Sequence, residues 1–193
     1  ARFASQLALA HRPKLLQAAG LAARIGIRRY LRGATVIAAK GDTQLRSVIL
    51  RHGGREREIA CDYLACGYGL VPALEVALMF GCDVTGGRVA VDGAQQAAAG
   101  VWAAGESTGI GGVDKALAEG RIAGLSAIGM QPSVRDFEAQ RRAQSFAALV
   151  GKAFAPGPEL AALCTPETIV CRCEDVTAAQ LAPHISWRAA KLQ

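Results

Sequence analysis

Two groups of residues in this chain have types and spacings suited to chemistry. The first centres on Glu106, within the run GVWAAGESTGIGGVDKALAEGRIAGLSAIG from Gly100 to Gly129. This carboxylate follows an apolar stretch, Val101–Ala104, that reads as a short buried strand. A glycine-rich turn over residues 105–112 comes next, and a helix is expected from about Val113. Open α/β sheets bind ligands at such C-terminal strand lips. Gly105, Gly111 and Gly112 let a turn approach a large flat ligand. The start of the helix, at Val113 and Asp114, offers unpaired N–H groups and a positive dipole end to electron-rich oxygens. Ala116, Gly120, Ala123, Gly124 and Ala127 give that helix a side-chain-poor face. The same pattern fits an ordinary strand–turn–helix with close packing, and local physics does not separate the two readings.

The second group is Cys171-Arg172-Cys173-Glu174-Asp175. Two thiolates two residues apart on a tight turn converge on one metal ion, here after the apolar TIV strand. Asp175 or Thr177 is placed to cap a helix starting in DVTAAQL. An iron–sulfur cluster needs four protein ligands, so these two cysteines are half a site; Cys164 is a third thiol nearby in sequence. The remaining cysteines, Cys61, Cys66 and Cys82, are expected to behave as small buried hydrophobes. Cys61 and Cys66 have a redox-pair spacing, but it falls on the strand and turn DYLACGYG and reads as coincidence. A disulfide scaffold is not expected in a chain of this size without a secretion signal.

Other motifs carry less. Gly67-Tyr68-Gly69-Leu70-Val71-Pro72 opens like a dinucleotide fingerprint but ends in proline, and no acidic residue follows a second strand at the required separation. His11, His52 and His184 each stand alone, as surface or satisfied core histidines. No Ser/His/Asp, zinc or paired-carboxylate constellation is evident.

The elements that must position these residues follow from patterning. Ala1–Arg32 reads as helical, with Pro13 in the first turn of a second helix. Ala34–Ala39, Leu45–Arg51 and Glu56–Ala65 read as an antiparallel meander joined by turns at Gly41-Asp42 and His52-Gly53-Gly54. Leu74–Phe80 is expected to be a short helix, and Arg88–Asp92 a strand pairing with the Trp102 strand. Ser133–Phe154 reads as a long amphipathic helix burying Phe137, Phe146, Leu149 and Val150. Ala155–Pro166, with three prolines, reads as a linker.

In combination these segments resemble the two-dinucleotide-domain FAD/NAD(P) oxidoreductases. The Ala104-Gly105-Glu106 strand end resembles that family's second flavin motif, with Glu where many members have Asp. The resemblance implies that Glu106 hydrogen-bonds a hydroxyl of the flavin ribityl chain. It also directs the helix start at Gly111, Gly112, Val113 and Asp114 toward the flavin pyrimidine. Cys66-Gly67 followed by Pro72 resembles the family's crossover from nucleotide domain to FAD domain, which places Gly67 at the cofactor. More narrowly, LACGYGLVPALEVALMFGC and VCRCEDVT resemble the alpha subunits of opine oxidase and hydrogen cyanide synthase type dehydrogenases, over about Leu31 to Leu181. The Cys171/Cys173 turn resembles the first half of a bacterioferritin-associated-ferredoxin-like 2Fe–2S segment.

The fold this implies is α/β: a partial FAD/NAD(P)-binding, Rossmann-like fold with a short C-terminal cysteine segment. Residues 1–66 would be the end of a nucleotide-binding domain with N-terminal helices, and 67–130 the return segment of the FAD domain. Residues 131–160 would be a helix and linker, and 161–193 a truncated 2Fe–2S-like segment. The implied activity is passage of electrons between flavin and an iron–sulfur centre in a heteromeric amine, opine or amino-acid dehydrogenase. The implied cofactors are FAD, with a 2Fe–2S cluster and NAD(P) in the complete protein. Two further readings stay open. One is an NAD(P)H-dependent ferredoxin, rubredoxin or nitrite reductase type flavoprotein, and the other a non-catalytic electron-transfer or assembly module.

Composition sets outer bounds. The chain has 193 residues, 51% of them apolar and 5% aromatic, with 22 glycines. Charge is uneven: Ala1–Arg57 holds 12 Lys/Arg against 2 acids, and the remainder 10 against 14. Arg24, Arg28, Arg29 and Arg32 read as a solvated helix face or a docking surface for an acidic partner. Sparse aromatics argue against a single-strand nucleic-acid platform. No apolar run is long enough to cross a bilayer and no leader pattern opens the sequence. The expectation is a soluble cytoplasmic protein with subunit partners, a small-molecule substrate or NAD(P)H, and no nucleic acid.

Overall fold

The computed structural model describes residues 2–26 and 30–183. Contacts divide the chain into two units, one of Ala1–Gly26 and Tyr68–Ala155, the other of Ile27–Gly67 and Pro156–Gln193. The architecture is mixed α/β with small sheets, and every strand pairing among the described residues is antiparallel.

The second unit carries the meander: β1 (Ala34–Gly41), β2 (Leu45–His52) and β3 (Arg55–Ala60), in the order β1-β2-β3. The His52–Arg55 pair closes over Gly53 (φ 57°) and Gly54 (φ 76°). Two consecutive left-handed residues are what a two-residue hairpin turn of right-handed strand twist requires. Val48 and Ser47 are buried on β2, and the cross-strand ion pairs Lys40–Glu58 (2.8 Å) and Arg51–Glu56 (2.9 Å) are solvent-exposed. The Glu58 carboxyl is held below its usual range, chiefly by hydrogen bonds from Lys40 and Ser47. The third strand ends at Ala60 rather than Ala65, and residues 61–74 form no regular element. Gly67 is exposed in that stretch, without the preceding strand a dinucleotide fingerprint needs. This unit also holds α6 (Pro158–Ala161), inside the expected linker, then β8 (Ile169–Cys171), β9 (Val176–Thr177) and α7 (Ala178–Leu181).

The first unit opens with α1 (Arg2–Ala10) and α2 (Arg12–Ile25), the latter with Pro13 in its first turn. Helix stops at Ile25, and Tyr30–Gly33 is not helical; Arg28 and Arg29 lie outside the described residues. Next come α3 (Glu75–Met79), the hairpin β4 (Val84–Thr85) with β5 (Arg88–Val89), and the ribbon β6 (Gln96–Ala98) with β7 (Val101–Trp102). The expected pairing of Arg88–Asp92 with the Trp102 strand does not occur. Gly86 and Gly87, at φ 59° and 72°, fold β5 back on β4, and β7 instead pairs with β6. Local glycine turns set these short ladders in place of the longer-range pairing.

A 3₁₀ turn (Gly105–Thr108) leads to α4 (Val113–Ala127), and α5 (Val134–Ala153) packs against α4. Ser133 caps α5: its hydroxyl accepts the Asp136 N–H while Asp136 accepts the Ser133 N–H at 2.8 Å, a reciprocal capping box. Arg121 on α4 donates to the same Asp136 carboxylate at 2.6 Å, which ties the two helices at that end. These bonds, Ser133 first, hold the Asp136 carboxyl below its usual range.

The buried set of this unit is small: Leu7, Cys82, Val89, Ala118, Ile122 and Ala143, with an unusual complement of buried polar groups. The α5 stripe differs from expectation, since Phe137, Phe146, Leu149 and Val150 are half-buried and Asp136, Gln140 and Ala143 occupy the interior. His11 is a core histidine, edge-on to Phe146 at 5.4 Å. His52 is exposed, and His184 lies outside the described residues. Of the cysteines expected inside, Cys82 is buried, Cys61 half-buried and Cys66 exposed.

Candidate functional site

The Glu106 turn is built from backbone states that favour glycine. Ala104 is extended, Gly105 takes φ 83°, Gly109 124° and Gly112 80° before α4 begins. L-residues adopt such left-handed states at a cost, so these positions specify the path of the loop. A Cβ at Gly105 would meet the Ala116 Cβ at 3.3 Å, and one at Gly111 would run into Lys115 and Ala147, whereas Gly112 faces open space. One Glu106 carboxylate oxygen accepts the Gly112 N–H at 3.0 Å. The exposed acid therefore folds onto the start of α4, a favourable place for negative charge. Val113 and Asp114 are exposed there, with Asp114 paired to Lys14 at 2.8 Å.

Beneath the turn lies a buried charged network. Lys115 and Glu119 are 6% and 1% exposed and pair at 2.7 Å. Glu119 Oε2 also accepts the Gly105 N–H (3.0 Å) and sits 2.7 Å from the Thr108 hydroxyl, while Oε1 accepts from Gln144 (3.2 Å). Lys115 Nζ donates to the Gly105 carbonyl (3.0 Å) and Thr108 Oγ1 (2.8 Å) as well as to Glu119, so its three protons are all placed. Burial pushes the Glu119 carboxyl up, but the combined hydrogen bonds from Lys115, Thr108, Gly105 and Gln144 outweigh it and hold the acid below its usual range. Every lysine proton and both carboxylate oxygens are engaged within this network, the arrangement of a scaffold.

This network defines which side of α4 is interior. The buried face is Lys115, Ala118, Glu119 and Ile122; Gly120, Gly124 and Ala127 are exposed and Ala116 and Ala123 half-buried. The small-residue face looks outward, flanked by exposed Val113, Leu117 and Ile128. A cavity of about 660 Å³ is lined by Arg88, Gln95, Thr108, Lys115 and Glu119 among others.

The structure brings Gly105, Glu106, Gly111, Gly112, Val113 and Asp114 together at one loop and helix start. Gly67 belongs to the other unit. Cys171 ends β8 and Cys173 lies within the turn that leads to β9, half-buried and exposed respectively, and both are free thiols. Asp175 occupies that turn at φ 52°, and the α7 cap is Thr177, paired with Gln180. Among the described residues no group of three or more His, Cys, Asp or Glu is arranged to hold a metal.

Comparison with known proteins adds the relationship that geometry alone lacks. An opine oxidase subunit from Agrobacterium tumefaciens is 29% identical over 203 residues, covering 92% of this chain and 40% of that protein. Hydrogen cyanide synthase subunit HcnB of Pseudomonas aeruginosa is 28% identical over 172 residues, covering 75% of this chain and 36% of the relative. The chain is a distant relative of oxidoreductase subunits. HcnB of Pseudomonas protegens is 31% identical over 143 residues, 64% of the chain and 30% of the relative. The chain thus spans well under half the length of these relatives. No protein-family profile and no solved structure matches it. No helix among the described residues is long and apolar enough to cross a membrane.

Lys115, Thr108, Glu119 and Gln144 are the site residues that sequence reasoning missed. A signal was present: Lys115 and Glu119 are four apart, on the helix side shared by Ala118 and Ile122.

Proposed function

We propose that this chain is the flavin-side part of an FAD-dependent oxidoreductase subunit working in a multi-subunit dehydrogenase of amines, opines or amino acids. The observation that carries the reading is the Gly105–Gly112 turn, whose exposed acid is held on the N-terminus of α4. The donor and acceptor chemistry fits the ribityl and pyrimidine end of a flavin. The Glu106 carboxylate takes one hydrogen bond among the described residues, and a carboxylate has room for about four, so it retains capacity for a ribityl hydroxyl. Gly112 leaves open space where a ring system must come close. The start of α4 offers partial positive charge to a reduced, anionic ring.

Bound flavin would supply two-electron oxidation of the substrate and one-electron release to an iron–sulfur centre. The chain's own residues would orient and stabilise. Gly105 and Gly112 would permit close approach, Glu106 would fix the ribityl chain, and Val113 and Asp114 would lie at the helix end facing the ring. Gly67 would mark the crossover toward the cofactor. Cys171 and Cys173 would give two of the four thiolates of a 2Fe–2S cluster, with the second pair from elsewhere in the complete protein. The fold reading, a partial Rossmann-like FAD/NAD(P) architecture, belongs to the same proposal, as does a site for NAD(P).

Anaerobic absorbance of the natively purified protein tests this. Flavin bands bleached by an opine, proline or glycine support the dehydrogenase. Bleaching by NAD(P)H alone would make the protein a ferredoxin, rubredoxin or nitrite reductase type flavoprotein. Absence of flavin would leave an electron-transfer or assembly module.

A further inference from the structure

We infer that Lys115 and Glu119 are positioning residues for Glu106: their buried pair clamps the turn on both sides of that acid. The inference rests on the flavin reading and adds to it the groups that hold the flavin-binding acid in register. Neither residue hydrogen-bonds Glu106 itself among the described residues. They grip what flanks it. Immediately before Glu106, Gly105 is held at both ends of its backbone, its N–H on Glu119 Oε2 and its carbonyl on Lys115 Nζ, each at 3.0 Å. Two residues after it, Thr108 Oγ1 accepts from Lys115 at 2.8 Å. Its single proton lies within reach of Glu119 Oε2 (2.7 Å) and the Gly105 carbonyl (2.8 Å), and the charged carboxylate is the stronger acceptor.

Such a clamp answers a need created by the loop. Gly105, Gly109 and Gly112 all take left-handed φ values, and glycines gain these states at the expense of intrinsic rigidity. A buried ion pair is a poor way to gain stability compared with packed apolar groups, and its best attested use is to fix register. Here all three lysine protons and both carboxylate oxygens are committed. Glu106 is then fixed twice, through its backbone by the buried pair and through its side chain by Gly112.

The test compares Lys115→Met and Glu119→Gln with Asp136→Asn in the natively purified protein. Asp136 ties the other end of the α4–α5 pair and makes no hydrogen bond to the turn among the described residues. The readouts are FAD affinity, the visible flavin spectrum and amide hydrogen exchange over residues 105–112. Lys115→Met is expected to weaken FAD binding by roughly tenfold or more and to shift the flavin band. Glu119→Gln keeps an acceptor for Gly105 and Thr108 and should fall between Lys115→Met and wild type. Asp136→Asn should lower Tm while leaving FAD affinity within about twofold. Equal FAD loss in Asp136→Asn at matched Tm, or unchanged affinity in Lys115→Met, overturns the inference. If the wild type holds no flavin, the flavin reading fails and exchange decides the clamp separately. Faster exchange at residues 105–112 in Lys115→Met than in Asp136→Asn at matched Tm upholds it, and equal protection there in the two variants refutes it.

Discussion

Replacing Lys115 by Met should destabilise the chain severely, and a second substitution should restore much of the loss. Met matches the lysine stem in length and flexibility but deletes Nζ, and with it three hydrogen bonds of 2.7–3.0 Å. Glu119, 1% exposed, keeps Gly105, Thr108 and Gln144 but loses its only cation among the described residues. Breaking one side of a buried pair costs about 3–5 kcal/mol. At roughly 2–4 °C per kcal/mol for a chain of this size, Tm should fall by about 6–20 °C. Lys115→Met combined with Glu119→Gln leaves no uncompensated charge, so the double variant should be more stable than Lys115→Met alone. Thermal and urea unfolding followed by circular dichroism complete the double-mutant cycle. Additive losses, or a Lys115→Met cost below about 1 kcal/mol, would refute the claim of a coupled buried pair. The pH profile gives a second check. Because the Glu119 carboxyl is held low in the fold, its contribution is fully present above the ordinary carboxylate value of about 4 and is lost as pH falls through the lowered value. Glu119→Gln should flatten the acid limb of the stability curve.

Other outcomes follow from named contacts. Ser133→Ala removes the acceptor for the Asp136 N–H and should cost about 0.5–2 kcal/mol in unfolding free energy; no change would mean that the α5 cap is idle. Gly54→Val forces a β-branched residue to φ 76° and should cost about 1–2 kcal/mol, with greater exchange at the β2–β3 turn by NMR; an unaltered hairpin would count against the turn assignment. In protein free of iron, a thiol reagent should label exposed Cys66, Cys164 and Cys173 quickly and Cys82 only on unfolding, with mass spectrometry identifying the sites.

What can be read from sequence is local. The meander is legible because alternating side chains and the Gly53-Gly54 turn act within a few residues. The start of α4 after Gly112 and the span of α5 are legible for the same reason. Sequence misleads where distant groups decide. Lys115 and Glu119 share a helix side with Ala118 and Ile122, but their partners are set only by the Gly105–Thr108 turn folding over them. The glycine face of α4 looks like a packing surface, yet the helix buries its charged side and leaves Gly120 and Gly124 open. The apolar character of Arg88–Asp92 suits a partner in the Trp102 strand; two left-handed glycines at 86 and 87 pair it with Val84–Thr85 instead. The glycine turn after Ala104 is thus foreseeable; the expected buried strand Val101–Ala104 is only the half-buried Val101–Trp102, and the buried network beneath the turn is not foreseen.

The central claim is that Glu106 helps to hold a flavin. The most direct test is FAD content and affinity of the natively purified protein beside its Glu106→Ala variant. The account predicts flavin in the wild type and an affinity lower by roughly 10- to 150-fold in the variant, the worth of one hydrogen bond to a charged acceptor. Unchanged affinity in Glu106→Ala, or a wild type without flavin, would contradict it.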